Sequence, residues 1–201
     1  VQTCALPIFA LVAEKQGNMM PNEIIRELTK QIFHNDSSHE TIGIKNVAIF
    51  LRKLSKSAPK VVYQNVSSLL GFFDCESYLL RQAIIKILAN IILYVLKQET
   101  GDAHTQVVYN TTKEKFLELL YKRFHDKSAY CRAKVCKVFM KLTEANVVPR
   151  HHYLQLMRGV IGRLHDCTTN VRKNALRLFA QMVMIYGLIF SVDLQIGRAH
   201  V

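Results

Sequence analysis

The sequence predicts an all-helical protein built from repeated helical hairpins. The first observation is a phrase that recurs three times: an acidic residue, a few spacer residues, an arginine, and then an apolar stripe at helical spacing. The second is its period, because the second and third copies lie 40 residues apart and the first two lie 51 apart. The third is that no stretch shows the alternation typical of a strand. A period near 40 with two helices per unit indicates HEAT-type repeats.

The acidic residue and the arginine fall at the turn between the two helices of a hairpin. The pairs are Asp74 with Arg81, Asp126 with Arg132, and Asp166 with Arg172. A carboxylate just before a helix can accept hydrogen bonds from its free amides and meets the positive end of its dipole. An arginine in the first turn can bridge to the aspartate of its own or a neighbouring unit. We therefore expect these residues to align successive hairpins rather than to bind a ligand.

Each arginine is followed by apolar residues that share one helix face. They are Ile84, Ile87, Leu88 and Ile91; Val135, Val138, Phe139 and Leu142; and Ala175, Leu178, Phe179 and Met182. A similar stripe at Ile44, Val47, Ala48 and Leu51 lies 40 residues before the first, with Thr41 in place of the arginine. The predicted fold is therefore all-α, a right-handed α-solenoid of about four HEAT-type hairpins. The expected repeat units are residues 21–57, 59–98, 111–145 and 149–187.

Proline and polar residues set the expected helix boundaries. Pro21, Pro59 and Pro149 each stand at the first position of a helix, where proline is favoured. The Pro59 helix is expected to reach about Phe73. Residues 99–110 are predicted to form the only sizeable loop, with Thr111 or Thr112 capping the helix that follows. The last helix is expected over residues 169–186.

The two ends of the chain resemble a translated sequencing adapter. Back-translation of residues 1–8 gives DNA whose reverse complement, read in a shifted frame, encodes residues 196–201 followed by a stop codon. We therefore expect residues 1–8 and 195–201 to be adapter, residues 9–194 to be the repeat segment, and both natural termini to be missing. The apolar start is for this reason not interpreted as a signal peptide.

Composition favours an anionic partner. The 201 residues carry 27 basic and 15 acidic side chains, a net charge of +12, which suits a nucleic acid or an acidic protein surface. The alternative is a solvated basic exterior.

The cysteines lack the spacing of zinc ligands and are expected to be reduced thiols. Apart from Cys4, which lies in the expected adapter, they are Cys75, Cys131, Cys136 and Cys167. The longest apolar stretch, residues 83–96, is too short to span a bilayer.

Basic residues also recur between the apolar positions. Lys86, Lys137 and Arg177 occupy equivalent positions in the three copies. Lys134 and Lys141 share a helix face with Lys137, and Lys173 shares one with Arg177. Stacked hairpins would align these charges as a ridge that could bind a phosphate backbone or an acidic strand of a partner. The alternative is that these helices simply keep a solvated outer face.

Motifs for enzymatic chemistry are missing from the sequence. It contains no Walker-type loop, dinucleotide-binding turn or nucleophile elbow. His151 and His152 are adjacent and point apart on a helix, so we expect surface or capping residues rather than metal ligands. We predict no catalytic residue, metal, cofactor or small-molecule substrate.

Three longer phrases resemble the D-type HEAT-repeat subunits of condensin. They are LLGFFDCESYLLRQA at residues 69–83, HDKSAYCRAKV at residues 125–135, and GRLHD at residues 162–166 followed by VRKNA at residues 171–175. Their order and spacing, with the loop between the first two, match the family across residues 21–187. Cys75 stands where the family has glycine.

The resemblance implies a non-catalytic scaffold subunit with no catalytic residues to carry over. It implies binding to the kleisin subunit, to the SMC ATPase heads and to double-stranded DNA in chromatin, in support of mitotic chromosome condensation. The implied location is the nucleus and the chromosomes, with the cytoplasm as an interphase alternative. The competing interpretation is a HEAT-repeat adaptor of another complex, either a condensin II-type subunit or a transport or adaptor scaffold.

Overall fold

All regular structure in the described residues is helical. A computed structural model describes residues 19–34, 42–98 and 101–198, and the helices within these ranges confirm the predicted all-α class of HEAT-type hairpins. Residues 1–8, Thr41 and the expected turn at residues 35–39 lie outside the described residues. The chain divides into two compact units between Leu120 and Tyr121. None of the described helices is long and apolar enough to cross a membrane.

The first unit is built around one long buried helix. In chain order its helices are α1 (Met19–His34), α2 (Ile42–Ser57), α3 (Pro59–Gln64), α4 (Val66–Leu70), a 3₁₀ turn (Gly71–Phe73), α5 (Tyr78–Tyr94), and most of α6 (Ala103–Lys122). Helix α5 packs against α2 and α3. The stripe predicted after Arg81 is fully buried, because α5 has neighbours on several sides.

Helix α6 begins earlier than predicted. Asp102 accepts hydrogen bonds from the backbone amides of His104 (3.3 Å) and Thr105 (2.9 Å), as an N-cap does. Thr111 and Thr112 lie inside the helix, where their hydroxyls donate to carbonyls one turn back. The predicted loop was therefore wrong over residues 103–110, and so was its threonine cap; residues 99 and 100 lie outside the described residues.

The helix predicted from Pro59 to Phe73 is broken into α3, α4 and the 3₁₀ turn. The break falls at Asn65, which lies outside helical geometry with φ −108° and ψ 8°. Its side-chain amide donates to the carbonyl of Val61 (2.9 Å) and to the side-chain oxygen of Asn22 (2.6 Å). A side chain that competes for the backbone in this way favours the end of a helix.

The second unit contains two complete helices that pack against a third. A 3₁₀ turn (Arg123–His125) leads into α7 (Ala129–Glu144), and a second 3₁₀ turn (Arg150–His152) leads into α8 (Tyr153–Leu164) and α9 (Thr169–Arg198). Helix α9 contacts both α7 and α8. It starts where predicted and continues beyond residue 186. The core is aromatic, and the Phe139 ring stacks with those of Phe124 (centroids 5.5 Å apart) and Tyr121 (4.9 Å).

A glycine allows α8 to approach this aromatic core. A Cβ added at Gly159 would lie 2.9 Å from the Phe124 ring. Phe124 is buried and stacked on Phe139, so its ring has little room to retreat. Gly162, on the same helix, has no atom within 4 Å of a Cβ.

We expect opposite effects from alanine at these two glycines. Gly159→Ala should lower the free energy of unfolding by about 1–3 kcal/mol, because overpacking outweighs the gain in helix propensity. Gly162→Ala should raise it by up to about 1 kcal/mol, because only the propensity changes. Urea unfolding followed by circular dichroism measures both. Equal stabilisation by the two substitutions would contradict the close contact.

Inter-hairpin turns and a candidate basic surface

Arg132 joins two turns of the second unit. Its Nη1 donates to the backbone carbonyls of Asp126 (2.8 Å) and Lys127 (3.2 Å) in the turn before its own helix. Its Nε and Nη2 donate to the two carboxylate oxygens of Asp166 at 2.7 and 3.0 Å. Asp166 lies in the turn between α8 and α9, so a single buried guanidinium connects α7 to the hairpin that follows it.

The Asp166 carboxylate is held by several donors. Besides Arg132, it accepts a hydrogen bond from the Thr168 amide (3.0 Å) and lies 3.3 Å from Nη1 of Arg163. Its side chain is 2% exposed. The hydrogen bond from Arg132 is the main reason that the pKa of Asp166 is lowered to about 2, and the same bond raises the pKa of Arg132.

The other two arginines make the same contacts with their own turns. Nη1 of Arg172 donates to the carbonyls of Asp166 (2.8 Å) and Cys167 (3.0 Å). Nη1 of Arg81 donates to the carbonyls of Cys75 (2.8 Å) and Glu76 (2.7 Å). In all three turns the carbonyls therefore belong to the residues six and five positions before the arginine.

This register places Cys75, rather than Asp74, at the position of Asp126 and Asp166. Asp74 lies one residue earlier and is exposed. Asp126 and Asp166 each accept the amide of the residue two positions later, whereas α5 is capped by the hydroxyl of Ser77, which accepts the Leu80 amide at 3.4 Å. The prediction that Asp74 serves as the first turn aspartate was therefore wrong by one residue. The sequence already indicates this shift of one residue. Asp74 precedes its arginine by seven residues, whereas Asp126 and Asp166 each precede theirs by six.

Two side-chain amides form a second link that the sequence analysis missed. Asn90 of α5 donates to the hydroxyl of Ser55 on α2 at 2.8 Å. Gln181 of α9 donates to the Thr143 hydroxyl (3.0 Å) and the Met140 carbonyl (2.8 Å) on α7. Both amides stand nine residues after their repeat's arginine. An amide recurring at that distance within an apolar stripe is the signal that could have revealed the link.

Five of the six predicted ridge residues lie on two packed helices. We define the basic surface as Lys134, Lys137 and Lys141 on α7 with Lys173 and Arg177 on α9. Lys134 is half-buried, and the other four are exposed. The sixth residue, Lys86, is half-buried on α5 and belongs to the other unit.

Few acidic groups offset the charge of these helices. Glu144, at the end of α7, is the only acidic residue of that helix, and α9 has none before Asp193. Lys137 and Arg177 occupy equivalent positions 40 residues apart. The links at Arg132 and Gln181 connect α7 to the α8–α9 hairpin near both ends of α7, so these two charges lie on helices held in fixed register.

Two of the cysteines and one of the paired histidines are buried. Cys131 and Cys136 are buried in α7, and burial raises the pKa of the Cys136 thiol to about 12, which keeps it protonated and unreactive. His151 is exposed as expected, but His152 is buried and stacks on Tyr121, with ring centroids 5.4 Å apart. His152 stands at the N-cap of α8, so only the expectation of a surface position was wrong for it. The expectation that the two histidines point apart was also wrong, because their ring centroids lie 4.5 Å apart.

Sequence comparison identifies the family. No protein-family model matches the chain. The chain is 33% identical, over 169 residues and 84% of its length, to condensin complex subunit 1 of Schizosaccharomyces pombe. It is 29% identical, over 161 residues and 80% of its length, to condensin complex subunit 1 of Xenopus laevis.

The chain belongs to the condensin subunit 1 family. Over 72% of its length it is also 33% identical to the condensin-1 complex subunit CAP-D2 of Arabidopsis thaliana. It spans 14%, 11% and 10% of the lengths of these three condensin subunits, in the order given. The expected resemblance to the D-type subunits of condensin is thereby confirmed.

The Arg132–Asp166 contact predicts a specific loss of stability in acid. The pKa of Asp166 falls from 3.8 to about 2 on folding, so its contribution is complete above about pH 5 and is lost as the pH falls through 2. Asp166→Asn should lower the free energy of unfolding at pH 7 by about 3 kcal/mol, because it leaves the buried guanidinium without its charged partner. It should also flatten the fall in stability between pH 5 and 2.

Urea unfolding at a series of pH values measures both effects. Glu144→Gln is the control, since it removes an exposed carboxylate from the same unit. An unchanged acid dependence in Asp166→Asn, with Glu144→Gln as the more damaging substitution, would contradict the assignment.

Proposed function

We propose that the chain is part of a non-catalytic scaffold of the condensin complex that supports mitotic chromosome condensation in the nucleus and on chromosomes. Its membership of the condensin subunit 1 family supports this proposal. The helical hairpins also support it, because stacked repeats form extended surfaces suited to binding. ATP hydrolysis would then belong to partner subunits.

We further propose that the basic surface contacts the phosphate backbone of double-stranded DNA. The observation that carries this proposal is the exposure of Lys137 and Arg177 at equivalent positions on packed helices. Lysine and arginine side chains neutralise phosphates without reading bases, so binding would depend on salt and show little sequence preference.

The internal ion pairs leave this surface positive. The side chains of Asp126 and Asp166 are each 2% exposed and face Arg123, Arg132 and Arg163. Because these carboxylates are buried against arginines of the turns, they are not available at the surface to pair with Lys137 or Arg177. The unit therefore presents to solvent a basic charge that an anionic partner could neutralise.

The protein partners proposed for the scaffold are the kleisin subunit and the SMC ATPase subunits of condensin. An acidic strand of such a partner could occupy the basic surface in place of DNA, since a row of carboxylates offers similar charge. The same chemistry suits the alternative function, a HEAT-repeat adaptor of a condensin II-type or transport complex. DNA and an acidic peptide are therefore compared directly in the test.

Charge reversal on the basic surface should weaken DNA binding selectively. We expect Lys137→Glu, Lys173→Glu and Arg177→Glu together to reduce the affinity of the full chain for a short duplex. The logarithmic salt slope should become shallower by about 0.9 for each phosphate that the variant no longer neutralises. The matched control reverses Lys122, Arg150 and Arg158, which are also exposed and lie in the same unit. Lys86 is left unchanged because it is half-buried.

Fluorescence anisotropy across a salt series measures these affinities. The control variant should retain most of the binding, although it carries the same change in net charge. Equal losses in the two variants would show that only net charge matters and would overturn the basic surface as a DNA site. Binding of a polyglutamate peptide without binding of DNA would favour the adaptor function instead.

A further inference from the structure

Helix α2 carries an outer stripe in which basic and apolar residues are mixed. Its members follow one another at intervals of three or four residues, so they share one face of the helix. They are Ile42, Lys45, Ile49, Arg52 and Lys56. Ile42 is 80% exposed, Lys45 and Lys56 are exposed, and the other two are half-buried. The stripe, which we call the α2 face, runs for about 21 Å along the helix.

The positive charge of the α2 face is not offset by nearby carboxylates of its own segment. Residues 42–73 contain five basic residues and no acidic one. The two glutamates of α1 pair within their own helix, Glu23 with Arg26 (2.9 Å) and Glu27 with Lys30 (3.7 Å). None of the three basic residues of the α2 face forms an ion pair with any residue that the structure describes. The face is therefore suited to an anionic partner.

A different side of α2 makes the contacts that hold the first unit together. Leu51 and Leu54 are buried there, and Ser55 accepts the hydrogen bond from Asn90 of α5. The helices of this unit thus meet through apolar side chains and an amide link. A stripe of lysine and arginine is unsuited to packing of that kind, because burying a charge without a partner is costly. The α2 face needs a partner that supplies carboxylates or phosphates.

The two isoleucines distinguish between these anionic partners. Ile42 and Ile49 stand seven residues apart, the interval at which packed helices meet along a shared seam. A DNA backbone would neutralise the basic residues but would give the isoleucines no apolar surface to pack on. A helix with apolar residues seven apart and carboxylates beside them matches both features, since opposite charges across an interface also fix its register.

We propose that the α2 face docks an acidic amphipathic helix of a protein partner. The apolar side chains of that helix pack on Ile42 and Ile49, and its carboxylates pair with Lys45, Arg52 and Lys56. The α2 face lies in the first unit, whereas the basic surface lies in the second. This inference therefore does not depend on DNA binding at the basic surface.

Fluorescence anisotropy of the full chain with a labelled peptide tests the charged half of the proposal. The probe is a helical peptide with leucines seven apart and glutamates beside them on one face. Lys45→Glu and Lys56→Glu together should weaken its binding about tenfold or more, because they replace attraction with repulsion. The matched control reverses Lys97 and Lys115, which are exposed in the same unit. It carries the same change in net charge and should retain most of the binding.

Ile42→Ser tests the apolar half. The urea midpoint should stay unchanged, because the Ile42 side chain is exposed. Binding of the leucine–glutamate probe should weaken about fivefold, because apolar contact is lost, whereas binding of polyglutamate should not change.

Four results would overturn the proposal. Two are no measurable binding of the probe at low salt, and equal losses in the two charge-reversal variants. A third is probe binding that is insensitive to Ile42→Ser. The fourth is loss of binding to a short DNA duplex, but not to the probe, in the variant with Lys45→Glu and Lys56→Glu, which would assign the α2 face to DNA.

Discussion

The second unit depends on one buried ion pair, that of Arg132 with Asp166. Removing two charges from water costs several kcal/mol, and their attraction offsets this only when the remaining hydrogen-bonding groups are also satisfied. Here Nη1 of Arg132 donates hydrogen bonds to two backbone carbonyls, and the Asp166 carboxylate also accepts one from the Thr168 amide. Replacing Arg132 and Asp166 together by well-packed apolar residues is often neutral for stability in such pairs. What the pair adds is register, because the fork-shaped guanidinium fits one placement of the two turns.

The fixed register between α7 and the α8–α9 hairpin also determines how surface residues of the second unit are spaced. The arginine contact near the start of α7 and the Gln181 contact near its end fix this helix against the hairpin that follows. The distance between equivalent positions on α7 and α9 is thereby fixed. Residues that recur at the repeat period in the sequence therefore recur at a regular spacing on the surface. This constraint fixes the spacing of Lys137 on α7 and Arg177 on α9.

The sequence predicted the repeats well because apolar periodicity reports burial directly. The stripes after Arg81, Arg132 and Arg172 indicated the helices that pack, and the spacing of Asp126 and Asp166 indicated their turns. Local hydrogen bonding was harder to foresee. The polar stretch before Thr111 resembled a loop, yet Asp102 caps a helix there, and Asn65 ends a helix that its neighbours would have continued. The links from Asn90 and Gln181 join residues far apart in sequence, and their one sequence signal is an amide that recurs nine residues after the arginine in two of the repeats.

Hydrogen–deuterium exchange of the Arg132→Lys variant tests most directly whether one guanidinium joins two turns. Lysine keeps the charge but cannot form the bidentate fork or hold both turns at once. The amides of Ser128 and Thr168, in separate turns, are predicted to lose protection together, while amides in the middle of α5, in the other unit, stay unchanged. Loss of protection at Ser128 alone would show that Arg132 serves only its own turn, and would contradict the account.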